Sequence, residues 1–319
     1  MIFDGHSDLL YDVTRRRLAG ETHVLERRHL KNLEVGGVEG MALSLWVSAE
    51  KGSFWESVPH GGSGWGRTEI MLEQMRQELA ECPWLALVCT AGETEQARTA
   101  GKKYAFLAVE GMEPIGDDLS RIDRYAALGA RLGMLTWNEE NLLATGAGGD
   151  PDAPLTELGQ RAVRRMEERS ILLDVSHLND GGFRDAVRLS NGPIIASHSN
   201  CRALCDVRRN LTDDALRAIR DSGGVVGLNV CHNFVHADRE RQTVEMLARH
   251  AAHMADVMGV EHVACGFDFC EYFGPGNEGA VGMENASQAG QLFDWLERMG
   301  MDRREREMIA RENFLRVLR

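Results

Sequence analysis

The stretch Ile2-Phe3-Asp4-Gly5-His6-Ser7-Asp8-Leu9 opens the 319-residue chain. Ile2 and Phe3 read as the start of a buried strand, which then offers an imidazole and a carboxylate two residues apart. Residues i and i+2 of a strand point to the same face, so His6 and Asp8 can aim at one point, as a metal ion requires. Neutral imidazole with carboxylate suits zinc or a neighbouring divalent ion. Taken alone, a His-x-Asp pair is more often an ordinary strand end with the aspartate capping a turn. What gives the pair weight is that four later strand-like runs end in residues of the same kind.

Eight such runs occur, at 2–8, 41–47, 104–110, 131–136, 171–176, 193–198, 224–230 and 262–268. Each is short and mostly apolar, as strands covered on both faces are. Amphipathic helical patterns separate most of them, for example at 68–79, 156–168, 212–220 and 242–257. Thr212-Asp213-Asp214 opens one helix with a cap and acid in the first turn, and Gly223-Gly224 ends it. This alternation predicts an α/β fold, a (β/α)8 TIM barrel in preference to a doubly wound open sheet. Helices at 288–298 and 303–318 are expected to complete the outer ring. No linker or repeat interrupts the pattern, so a single domain spanning 1–319 is expected.

Hydrophobic residues make up 43% of the chain, enough for a large core, and the formal charge is −13. That acidity disfavours nucleic acid as a partner. No apolar run is long enough to span a bilayer, and no signal peptide is evident. The seven cysteines show no C-x-x-C spacing and read as reduced thiols, so a cytoplasmic location without membrane attachment is expected. Two long connections, 48–67 and 137–154, follow the second and fourth runs, at the end of a barrel where substrate is usually gripped. His60, in the first, is a candidate substrate contact.

The chemistry gathers at the ends of the runs. Glu110 closes the third, His177 follows the fifth, His198 closes the sixth and Asp268 the eighth. With His6 and Asp8 these are six potential ligands able to converge on one barrel mouth. Three histidines and three carboxylates exceed the three protein ligands of a mononuclear catalytic zinc, so two ions are expected. Water held by such ions ionises near neutrality, which predicts hydrolysis of an amide or ester by a metal-bridging hydroxide. Asp174 is expected to orient a ligand from behind. His250 and His253 read as packing or surface residues.

This set, with Ser197-His198-Ser199 followed by Arg208-Arg209-Asn210, resembles the membrane dipeptidase (renal dipeptidase) family of zinc peptidases, within the amidohydrolase superfamily. The resemblance runs from residue 2 to Asn313-Phe314-Leu315-Arg316-Val317. It implies two Zn2+ per chain, with His6, Asp8 and Asp268 on one, His177 and His198 on the other, and Glu110 bridging. It implies that Asp268 serves as general base and then acid, and that Arg209 grips the carboxylate of a small dipeptide, for which a guanidinium fork is suited. Family members often accept a C-terminal D-residue and are often homodimers. Two positions depart from the pattern. Leu135-Thr136-Trp137-Asn138 carries Trp137 where the animal enzymes have a histidine, so Asn138, a zinc ion or another loop would have to support the tetrahedral intermediate. Phe234 stands at a pocket tyrosine. Trp137, Asn138 and Phe234 are thus candidate substrate contacts.

Two alternatives remain at this level: a metal hydrolase acting on a lactone or ester, and a non-catalytic metal-binding scaffold. The first would have little use for Arg209; the second would leave Asp268 without a role in turnover.

Overall fold

The structure is a computed structural model that describes residues 1–47, 53–58 and 64–318. Its strands are Ile2–Ser7 (β1), Val38–Trp46 (β2), Leu85–Leu87 (β3), Lys103–Glu110 (β4), Ala130–Met134 (β5), Leu172–Asp174 (β6), Ile194–Ile195 (β7), Val226–Leu228 (β8) and Val263–Cys265 (β9). All pair in parallel, in the order β1-β2-β4-β5-β6-β7, with β8 beside β9. The pair Ala196–Val226 joins β7 to β8. At the β9–β1 seam the Phe267 amide donates to Asp4 Oδ1 at 2.7 Å. The sheet therefore curls into the α/β barrel expected from the sequence, with helices outside.

One strand was not expected. β3 pairs with the first half of β4, below β5. Three residues are too few for a periodic signal, and the helix Ala91–Thr99 separates β3 from the partner that stabilises it.

The period-two alternation of β4 divides the core. Tyr104, Phe106 and Ala108 join Phe3, Ala42, Leu132, Ile195 and Ala264 inside the barrel. Ala105, Leu107 and Val109 face the helices. Glu110 continues the inward series and so crowns the barrel axis. Beneath it, Phe3 packs on Tyr104 and Phe106, with ring centroids 5.9 Å away in both cases, and on Phe314 at 5.2 Å. Phe314 belongs to the last helical segment, expected to lie in the outer ring. It instead shares the inner cluster, and any Cβ on Gly5 would collide with its ring.

The cap expected at Thr212 is present, and three further helices start in the same manner. Thr212 Oγ1 accepts from the Ala215 amide and opens Asp213–Asp221. Thr156, Asn179 and Thr243 cap Glu157–Glu168, Asp180–Leu189 and Val244–Met258 in the same way. Each cap satisfies an orphan amide where a loop leaves the functional end of the barrel.

Candidate metal centre

All six expected ligands stand at the C-terminal end of the strands. β1 brings His6, and Asp8 follows it directly, just past the strand and before the helix Leu9–Leu18. Phe3 faces the interior, so strict alternation would turn His6 away. The β1–β2 register shifts between Asp4 and Ser7, and such a bulge re-aims the side chains beyond it. His177 and Asp268 adopt φ of 70° and 58°. Positive φ is uncommon for non-glycine residues and concentrates at functional sites. Gly227 and Gly266 flank the Ser197 carbonyl so closely that a Cβ on either would strike it, which lets β8 and β9 close up behind His198.

Glu110 stands at the middle of the cluster. Its Oε2 lies 3.2 Å from His6 Nε2, and its Oε1 lies 2.9 Å from His177 Nε2 and 3.8 Å from His198 Nε2. His6 Nε2 is also 3.6 Å from Asp8 Oδ1 and 4.0 Å from Asp268 Oδ1. The ring of His6 stacks on that of His198 at 3.8 Å. The donor atoms of His6, Glu110 and His198, and those of His6, Asp8 and Asp268, fall within 4.8 Å of one another.

Burial makes this arrangement costly unless something answers the charge. It raises Glu110 well above its ordinary 4.5, with Asp8 adding to the effect. It raises Asp268 above 3.8 against the pull of His6. Burial also works against a charge on His6, but Glu110 and Asp8 outweigh it and hold the imidazole well above 6.5. His177 and His198 go the other way, pushed well below 6.5 by burial, with Arg209 and His6 adding to it. They are neutral near pH 7, the form that can ligate a metal.

Their other nitrogens are occupied. His177 Nδ1 lies 2.9 Å from Asn138 Oδ1, and His198 Nδ1 lies 2.8 Å from Ser197 Oγ. With the amide oxygen accepting, His177 carries its proton on Nδ1 and turns the Nε2 lone pair inward. The two Nε2 atoms lie 2.9 Å apart. Imidazoles sharing one tetrahedral zinc at about 2.0–2.1 Å would place them roughly 3.3 Å apart. His6 Nδ1 and Nε2, Asp8 Oδ1 and Glu110 Oε2 are buried without hydrogen-bond partners among the described residues. Orphaned donor atoms of mixed imidazole and carboxylate type fit divalent cations.

The remaining expected contacts surround this centre. Trp137, Asn138 and Phe234 line the cavity of about 600 Å³ above it. Arg209 is buried, its guanidinium 5.2 Å from the Phe234 ring centre, and donates to the His198 carbonyl at 3.4 Å. Its Nε has no partner among the described residues. The 137–154 loop braces the site from behind, since Gly148 N donates to the Asn138 carbonyl and Ala147 N to that of His177. Asp174 Oδ1 accepts the amides of Ser176 and Ser197, next to His177 and His198. His250 is fully buried, bonded to Val235 O and the Cys201 amide, a packing role as expected. His60 lies outside the described residues.

Two contributors escaped the sequence reading. Asp4 accepts the His6 amide as well as that of Phe267. Asn229, directly after β8, donates to Asp268 Oδ2 at 3.0 Å. A polar residue at the C-terminal end of a strand was the signal used elsewhere, and it applied to Asn229 equally.

A family model for membrane dipeptidases, peptidase family M19, matches residues 1–319. The chain belongs to that family. As a member of the M19 family it is a metal-dependent peptidase, a hydrolase. An uncharacterized protein in the pqqA 5′ region of Klebsiella pneumoniae is 34% identical over 245 residues, covering 74% of this chain and 88% of that protein. A metallo peptidase from Rhodobacter sphaeroides, solved with a phosphinate mimic of the dipeptide L-Ala-D-Ala, matches with a TM-score of 0.87 at 27% identity. That match covers 99% of this chain and 98% of the Rhodobacter chain. An amidohydrolase from Burkholderia multivorans, 11% identical, shares the fold with a TM-score of 0.54 over 100% of this chain and 99% of its own. Despite the family's name, no helix among the described residues is long and apolar enough to cross a membrane.

Proposed function

We propose that this M19 member is a binuclear zinc dipeptidase that hydrolyses small dipeptides, including those with a C-terminal D-residue. The observation that carries the reading is the double-facing Glu110, one oxygen toward His6 and the other toward His177 and His198. On this reading His6, Asp8 and Asp268 would hold one Zn2+, His177 and His198 would hold the other, and Glu110 would serve both. Zinc bound there would polarise the scissile carbonyl and lower the pKa of water.

The chain's own residues do the rest. Arg209 pairs with the substrate carboxylate, for which it is suited by burial, charge and an Nε without a partner among the described residues. Phe234, under the guanidinium, helps fix that end, while Trp137 and Asn138 border the scissile bond. Asp268 takes a proton from the attacking water and delivers it to the leaving nitrogen as the C–N bond breaks. The L-Ala-D-Ala mimic held by the Rhodobacter protein supports the D-residue. We further propose that residues 1–319 form one catalytic domain. All seven cysteines are free thiols, which fits a cytoplasmic location.

The test is a hydrolysis screen of L,L and L,D dipeptides with metal analysis on the same sample. About two zinc ions per chain, with activity lost on chelation and restored by zinc, is the expected result. Protein that keeps two zinc ions and cleaves no dipeptide would overturn the assignment.

A further inference from the structure

Aromatic residues are 6% of the chain, yet five of them converge on one rim of the cavity: Tyr11, Trp46, Phe54, Trp137 and Phe273. They come from five separate places in the sequence. Tyr11 sits at the middle, 4.9 Å from Trp46, 4.8 Å from Phe54 and 5.1 Å from Phe273 by ring centres. Trp46 extends the wall to Trp137 at 5.4 Å. Tyr11 is buried, but the other four are only half-buried and leave apolar faces toward the cavity. Among the described residues nothing covers this concave apolar surface beside the centre, the usual mark of a side-chain pocket.

The barrel says which end of a substrate meets this wall. Omitting the short β3, the strands follow around the barrel as β1, β2, β4, β5, β6, β7, β8 and β9. Trp46 ends β2, and Arg209 lies in the segment after β7, four places away and so across the mouth. Trp46 is also the register partner of Glu110 on the neighbouring strand. A dipeptide whose carboxylate is held at Arg209 and whose scissile carbonyl sits over Glu110 must extend its first residue toward Trp46.

We infer that this aromatic rim receives the side chain of the substrate's N-terminal residue and selects bulky apolar side chains there, aromatic ones above all. The inference rests on the dipeptidase reading and adds the substrate class. Edge-to-face contact with Trp46, Phe54 and Phe273 supplies the preference, and Tyr11 holds those rings in place before substrate arrives.

The experiment compares kcat/KM for X-D-Ala and X-L-Ala peptides in which X is Gly, Ala, Leu, Phe or Arg. Phe is expected to exceed Gly by roughly ten- to a hundredfold, the range that burial of such a side chain supplies. Trp46→Ala should cut the Phe-to-Gly ratio about tenfold, while Trp46→Phe should keep most of it. Competitive inhibition by phosphinate dipeptide mimics with a benzyl or methyl N-terminal side chain reads the same preference as binding, without turnover. A flat profile across X in an active enzyme, or a preference for Arg, overturns the inference and leaves the dipeptidase reading standing. Absence of both turnover and inhibition overturns the two together. The wild-type profile decides the matter even if a variant fails to fold.

Discussion

Asn229 Nδ2 donates to Asp268 Oδ2 at 3.0 Å, leaving Oδ1 as the oxygen that lies 4.0 Å from His6 Nε2. Asn229 is itself pinned, with its Oδ1 accepting the Cys231 amide and its own amide donating to Asn200 Oδ1. Among the described residues Oδ1 accepts only from the weak donor Cys270 Sγ, at 3.4 Å. On the proposed reading the carboxylate that moves the proton therefore has Oδ2 held firmly and Oδ1 turned toward His6.

That division predicts the effect of Asn229→Ala. Groups that orient the residues of a metal centre commonly account for about ten- to a hundredfold in activity, so kcat should fall by that amount. KM should change little, because Asn229 is buried and does not border the cavity. Steady-state kinetics at saturating metal separates the two. Equal kcat in variant and wild type would reduce Asn229 to a packing residue.

Arg209 separates the peptidase from a general ester hydrolase. Removing a buried partner of a charged group costs several kcal/mol, so Arg209→Ala should raise KM for a free dipeptide by on the order of a hundredfold. The same peptide capped as its C-terminal amide should respond far less. Arg209→Lys should recover only part of the loss, since an ammonium lacks the fork that meets both carboxylate oxygens. An equal loss for free and capped peptide would place the carboxylate elsewhere.

Much of this was legible before any coordinates. Buried parallel strands read as short apolar runs, and a carboxylate or imidazole at the end of such a run stands out because water is the only other place for it. Glu110, His198 and Asp268 were found that way. Two kinds of feature were not. β3 is three residues long and depends on a partner across a helix. The hydrogen bonds of Asn138 and Asn229 reach partners 39 positions away in the chain, so the orienting role of each is set by the fold and not by its neighbours in sequence. The bulge that turns His6 inward was equally hidden, since it belongs to the register between β1 and β2 and to neither sequence alone.

Asp12 makes stability depend on pH away from the centre. Burial opposes its charge, but contacts from His29, Arg15 and Arg16 outweigh that and bring it down to about 2 from its ordinary 3.8. Between those values the unfolded chain takes up a proton that the folded chain does not, so stability is lost as pH falls through this window. Arg15 is partly exposed, and solvent screening leaves a contribution of about 1–2 kcal/mol. Asp12→Asn should cost that much in urea unfolding at neutral pH, with the gap to wild type narrowing by about pH 3. A gap constant across this range would mean the ion pairs contribute nothing.

The tautomers of the two neutral histidines give the last prediction, read in metal affinity and independent of turnover. Asn138 Oδ1 accepts from His177 Nδ1, and Ser197 Oγ lies at the matching distance from His198 Nδ1. Without an acceptor on Nδ1, each ring can place its proton on Nε2, where it would block the lone pair needed inside. Asn138→Ala should therefore weaken metal retention about ten- to a hundredfold against a competing chelator. Ser197→Ala should have the smaller effect, because the stacking of His6 on His198 at 3.8 Å still restrains that ring. Asn138→Asp keeps an acceptor and adds charge, which raises the basicity of His177, and it should bind metal at least as tightly as wild type. If Asn138→Ala and Asn138→Asp lose metal alike, the side chain serves the loop and not the ring. In that event the hold on His177 must come from its left-handed backbone, at φ 70°, and from the Ala147 amide that donates to its carbonyl.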